Sequence, residues 1–208
     1  MSGAGGQGRR VTLQIAQDAA ADEVLSTNSF ALLAGMMLDQ QVPMERAFAG
    51  PAVILDRFGT LDPAAIADAP PDEFAEIFVR TPAVHRFPAA MATRTQALAR
   101  HIVELYGGDT ASLWQTASSG KELLHRVQGL PGFGRQKAQI FVALLGKQLD
   151  VRPSGWDVAA GSYAEQGSFR SVADVRDVAS LNRVRAFKKV QKSTKKAQQS
   201  TATAQRHV

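Results

Sequence analysis

Apolar residues recur along this chain at the three- and four-residue spacing of amphipathic helices and hardly anywhere at the spacing of strands. Phe30, Leu33, Met37 and Val42 predict a deeply buried helix over 29–41. Pro43 opens a second helix, through Met44, Phe48, Val53 and Leu55 to Phe58, with Gly50-Pro51 as a kink or break and Gly59 as its end. Asp62-Pro63 and Pro71-Asp72 each open a short helix. A long helix follows from Pro88 to Tyr106, with Met91, Leu98, Ile102 and Leu105 inward and Gly107-Gly108 as its stop. Residues 18–26 and 109–115 read as short helices, and the weak alternation over 11–16 predicts a short strand. The fold class is mainly α.

The most informative stretch interrupts this pattern. Ser119 and Glu122 have capping-box spacing, and Leu123, Leu124 and Val127 share an apolar face. Ala138, Phe141, Val142 and Leu145 then resume helical spacing. Between them stands Leu130-Pro131-Gly132-Phe133-Gly134-Arg135-Gln136-Lys137. Glycine tolerates positive φ and lets the backbone approach a ligand closely. The helix that follows begins with unpaired N–H groups and a positive dipole end, which favours an anion. A mononucleotide-binding glycine loop follows a strand. This one joins two helices, which suits a nucleic-acid backbone better. The plainer alternative is a helix–helix corner with glycine at its C′ position.

Composition narrows the classes. The 208 residues contain no cysteine, which excludes disulfides, thiolate zinc sites and an iron–sulfur cluster. No apolar run has the length of a membrane span, and the first ten residues are Gly-rich and polar without a signal-peptide core, so a cytoplasmic protein is expected. The net charge of +5 is unevenly spread. Residues 181–208 hold eight of the 24 Lys and Arg and no acid, which leaves 16 cations against 19 acids in the body. The expected organisation is a flexible N-terminus (1–10), a helical domain (11–180) and a basic tail (181–208), at least partly disordered and attracted to phosphate. A solubility tail without a partner is the alternative.

Leu-Pro-Gly-x-Gly-Arg-x-x-Ala between two helices, followed by Arg152-Pro153-Ser154-Gly155-Trp156-Asp157-Val158, resembles the helix-hairpin-helix, Pro/Gly-loop and aspartate order of the HhH-GPD superfamily of base-excision DNA glycosylases. Asn28-Ser29-Phe30-Ala31-Leu32-Leu33 and Met37-Leu38-Asp39-Gln40-Gln41-Val42 resemble that family's early helix and Gln-Gln turn, so the likeness covers roughly residues 28 to 165. It implies a helix-hairpin-helix glycosylase fold, with two helical lobes and the hairpin and active-site cleft between them. It implies Asp157 as the catalytic carboxylate; an N-cap for the next helix is the alternative, and Asp150, which precedes the Pro/Gly loop, is the rival. It implies DNA contacts from Gly132, Phe133, Gly134, Arg135, Gln136 and Lys137, and Gln41 as the residue that fills the gap left by a flipped base, or else as a solvated helix-end residue. Trp156 reads as a base-stacking residue or a core tryptophan. The family's hairpins often bind a monovalent cation through carbonyls, here near Leu130 and Gly132.

Two positions depart from the family pattern. Strand-cleaving members carry a Schiff-base lysine where this chain has Gln136. Lys137, about 100° further round the helix, is expected to face away as a phosphate contact or a surface residue. After Asp157, Val158-Ala159-Ala160-Gly161 lacks the polar residue that many members place there. The function expected is that of a monofunctional DNA N-glycosylase, similar to the cluster-free, alkylated-base branch. It would act as a monomer on a damaged base in double-stranded DNA, in a nucleoid-associated cytoplasmic setting, without lyase activity. The alternative is a non-catalytic DNA-binding protein, a damage sensor or architectural factor, on the same fold.

Overall fold

The computed structural model describes residues 12–205, with side chains as far as Thr194. Among the described residues, eleven α-helices follow one another: α1 (Ala19–Thr27), α2 (Ser29–Leu38), α3 (Met44–Phe58), α4 (Pro63–Asp68), α5 (Pro71–Val79), α6 (Pro88–Tyr106), α7 (Ser112–Gln115), α8 (Gly120–Gln128), α9 (Arg135–Gln148), α10 (Trp156–Ala160) and α11 (Val178–Gln205). Short 3-10 turns occupy Gly161–Ala164 and Val172–Asp174. The fold is all-α, as the periodicity predicts. The flexible terminus expected over 1–10 lies outside the described residues.

Local chemistry places most helix starts. Asp18, Asn28, Asp62 and Ser119 each accept a hydrogen bond from an amide in the first turn of α1, α2, α4 and α8. At Ser119 the capping box is one-sided: its hydroxyl accepts from the Glu122 amide, while the Glu122 carboxylate turns to Ser118 and Arg126. Gly59 and Gly107 end α3 and α6 in the left-handed region. The strand expected over 11–16 does not form from residue 12 onward. Its amides bind side chains of α1 instead: Leu13 donates to the Ser26 hydroxyl, and Ile15 and Ala16 donate to the Asp22 carboxylate.

α2 is buried from Phe30 to Leu38 and is the centre of the core. It stops at Leu38, three residues before the predicted end, because Gln41 adopts φ 58 and Pro43 disfavours helix at residue 42. α3 runs unbroken through Gly50-Pro51. The glycine is there for packing, since a methyl group on it would strike Leu38, and one on Gly35 would strike Phe48. Leu105, expected inward, is 61% exposed, because the last turn of α6 runs past the helices that cover Met91, Leu98 and Ile102. α8 and α9 lie side by side, and α10 packs on both. The basic segment predicted as a tail from residue 181 is part of α11. Its first turns are built into the core through Leu181 and Val184, both buried.

Buried polar side chains close the irregular segments. The Gln148 amide donates to the carbonyls of Val172, Ala173 and Val175. Lys147 and Asp174 form a buried ion pair at 2.6 Å, and Asp174 also accepts from the amides of Arg170 and Ser171. The indole of Trp156 lies on Gly146, with the Arg152 guanidinium 5.7 Å from its centroid. A methyl group on Gly146 would overlap the ring. Gly146→Ala is therefore expected to destabilise the protein by about 1–3 kcal/mol. Chemical denaturation followed by tryptophan fluorescence measures this, and an unchanged midpoint would refute the packing described.

Candidate nucleic-acid interface

The turn between α8 and α9 is shaped by one buried residue and two glycines. Phe133 is 5% exposed and packs edge-on to Phe141, with centroids 6.1 Å apart, so it anchors the hairpin and does not face a ligand. Gly132 has φ +83 and lies against Met37 of α2. Gly134 is the extended N-cap of α9 and has no side chain to offer. The first intrahelical bond of α9 runs from the Ala138 amide to the Gly134 carbonyl, which leaves the amides of Arg135, Gln136 and Lys137 without an intrahelical partner. The other long helices begin with a capping side chain or a proline. α9 begins instead with bare amides on a glycine turn, an exposed Arg135 and the positive end of a fourteen-residue dipole.

The second component is the turn after α2. Gln40 is tied on three sides. Its Nε2 donates to the Met37 carbonyl at 2.9 Å, Arg94 donates to its Oε1 at 3.0 Å, and its own carbonyl meets His85 Nε2 at 2.9 Å. His85 Nδ1 accepts from the Phe87 amide, so the neutral ring carries its hydrogen on Nε2 and donates it to Gln40. Burial holds His85 below the usual imidazole pKa, which maintains that neutral form. The next residue, Gln41, is exposed and held at φ 58. A rigid frame therefore projects one free amide side chain.

Lys137 joins the two components. Its ammonium donates to the Met37 carbonyl at 2.9 Å and lies 5.9 Å from the Phe133 centroid. Burial is the main reason that its pKa falls to about 8; Asp39 opposes the shift, and Arg94 and Lys188 add to it. The expectation of a surface or phosphate-contacting Lys137 is thus corrected. The rotation away from Gln136 is real, but that side of α9 faces the carboxyl end of α2 and not solvent.

A family model described as HhH-GPD superfamily base excision DNA repair protein matches residues 34–205. That span runs from α2 through the hairpin to the end of α11. The chain belongs to the HhH-GPD superfamily. No curated protein and no solved structure matches it. Membership carries with it DNA binding and base-excision repair of the glycosylase type.

The remaining site residues are distributed unevenly. Gln136 of this HhH-GPD hairpin is exposed and donates to the Tyr163 hydroxyl at 2.7 Å. Gln139, one turn on, reaches the Ala159 carbonyl, and Gly146 underlies Trp156. α10 therefore runs back along α9 from its far end, and the backbone at Trp156 abuts Gly120, the first residue of α8. Asp157 lies beside it, in the first turn of α10. It is exposed, and its carboxylate has no hydrogen bond or ion pair among the described residues. Gly155, not Asp157, is the N-cap of α10. Asp150 is exposed and paired with Arg152 at 3.1 Å. The hairpin and Gln41 are thus brought together through Met37, while Asp157 and Trp156 stand at the start of α10 against the first residue of α8, where Trp156 packs on Gly146. The sequence reading missed Tyr163, His85 and Arg94. His85 and Arg94 serve a turn some fifty residues away, and no local spacing signals that.

The lowered Lys137 pKa gives a pH prediction. The unfolded chain holds this proton up to about 10.5 and the folded protein only to about 8, so folding opposes protonation here. The cost is fully present below pH 8 and is relieved as pH rises from 8 to 10.5. The stability of the wild type minus that of Lys137→Met should therefore rise by about 1–3 kcal/mol across this window. A flat difference in paired denaturation curves would show that the ammonium is not desolvated.

Proposed function

We propose that this HhH-GPD protein is a monofunctional DNA N-glycosylase, of the cluster-free alkylated-base kind, acting as a monomer on a damaged base in duplex DNA within the nucleoid. The observation that supports the reading best is the uncapped α9 start beside a rigidly held, projecting Gln41. The amides of Gly134, Arg135 and Gln136 and the Arg135 side chain take a backbone phosphate. Gln41 enters the space of a nucleotide turned out of the stack. The glycosidic C–N bond then breaks with cationic character in the sugar. A carboxylate beside the anomeric carbon stabilises that charge and orients water, the role the motif order gives to Asp157. Gln136 offers no amine, and the amine of Lys137 is held on the Met37 carbonyl, so hydrolysis without strand cleavage follows. A monovalent cation suits the hairpin's oxygens: the Gly132 carbonyl accepts no hydrogen bond among the described residues, and the Leu130 carbonyl accepts one, from Phe133. Held there, it would add positive charge for the phosphate.

A second reading, non-catalytic binding of damaged DNA, is favoured by the exposed Asp157 carboxylate, which no hydrogen bond or ion pair among the described residues orients. One experiment distinguishes the two. Duplexes with different damaged bases are incubated with the wild type, Asp157→Asn and Asp150→Asn, and abasic sites are counted. The glycosylase reading expects Asp157→Asn to lose base release by about 10²-fold or more while its DNA affinity stays the same, with Asp150→Asn as the unaffected control. Full activity of Asp157→Asn removes Asp157 from the mechanism, and no release by the wild type gives the binding reading.

Borohydride trapping on a duplex that the wild type processes should yield no covalent adduct. An adduct mapped to Lys137 would overturn the assignment of that amine to the Met37 carbonyl.

A further inference from the structure

Four cations of α11 share one side of the helix. Arg185, Lys188, Lys189 and Lys192 are spaced three or four residues apart and fall within about 100° of its circumference. All four are exposed. Val190, 63% exposed, points about 160° away from Lys192. An unanchored helix could turn any face to a partner, but this one cannot rotate. Leu181 and Val184 are buried, Arg183 stacks on Phe169 at 4.2 Å, and Arg170 lies 5.6 Å from the Phe187 centroid.

The stripe is also registered against the interface. Arg185 is hydrogen-bonded to Glu45, and Lys188 stands 3.9 Å from Asp39. These two acids bracket the turn that presents Gln41. The stripe therefore starts at the Gln41 turn and proceeds outward. It covers about 10 Å from Arg185 to Lys192, the span of about three nucleotides of one strand.

We infer that α11 is a rotationally fixed basic strut that continues the DNA-binding surface away from the Gln41 turn, its stripe taking the phosphates of duplex DNA on one flank of the site. This rests on the duplex-binding reading above. It differs from attraction by a basic tail, which depends on net charge and not on which face carries it.

The test uses the full chain and a fluorescein-labelled duplex carrying an abasic-site analogue, with affinity measured by anisotropy against salt. Lys192→Gln should reduce the magnitude of the log–log salt slope by about 0.9, one phosphate contact. Lys192→Gln with Val190→Lys restores the net charge on the opposite face and should behave like Lys192→Gln alone. A double variant that returns to the wild-type slope, or a Lys192→Gln slope equal to the wild type's, overturns the strut. Arg135→Gln tests the underlying reading separately: if it leaves affinity and slope unchanged, the hairpin reading fails whatever α11 does.

Discussion

A buried apolar helix has to end somewhere, and its last carbonyls then need donors. In this protein the helix is α2, and its end lies in the interior, beside the hairpin. The Met37 carbonyl receives the Gln40 side chain and the Lys137 ammonium, and the Leu38 carbonyl receives the Gln40 amide. The negative end of the dipole adds to the attraction for Lys137. Because these donors come from the following turn and from α9, satisfying α2 fixes the Gln41 turn and the glycine hairpin relative to each other. Gly132 against Met37 completes the contact. The relative position of the two DNA-facing elements thus follows from one set of unsatisfied carbonyls.

The two half-buried and buried lysines of α9 show how different such sites can be. Lys147 has a carboxylate partner at 2.6 Å, and that partner accepts two backbone amides, so both charges are compensated. Lys137 has a carbonyl, with Asp39 as a more distant counter-charge, and two further cations nearby. Burial without a close carboxylate partner is what lowers its pKa. Asp39 opposes the shift at Lys137 and lies 3.9 Å from Lys188, so the same acid acts on the hairpin lysine and on α11.

Much of this was legible in the sequence, and the limits were physical. The capping residues Asp18, Asn28, Asp62 and Ser119, and the glycine stops at Gly59 and Gly107, act over one helical turn, so helix starts and stops could be read locally. The Gly50-Pro51 pair could not, because the glycine serves the approach of Leu38 from another helix. Leu105 has the right period and the wrong neighbourhood. The residues over 12–16 alternate weakly but have no second strand; the Asp22 carboxylate, reached only after the chain folds back, takes their amides.

The sequence by itself determined an all-α chain, the glycine hairpin with its bare amides, the missing amine at Gln136 and the absence of thiolate chemistry, because each depends on residue identity and near-neighbour spacing. Tertiary structure alone decided which way each side chain faced. Lys137 turned inward because α2 ends against α9. Trp156 packed on Gly146, and Asp157 went with it to the far end of α8, because the loop after α9 returns along that helix. The basic segment became the fixed helix α11 because Leu181 and Val184 found a core to enter. Each outcome depends on contacts between residues tens of positions apart, and periodicity carries no record of those contacts.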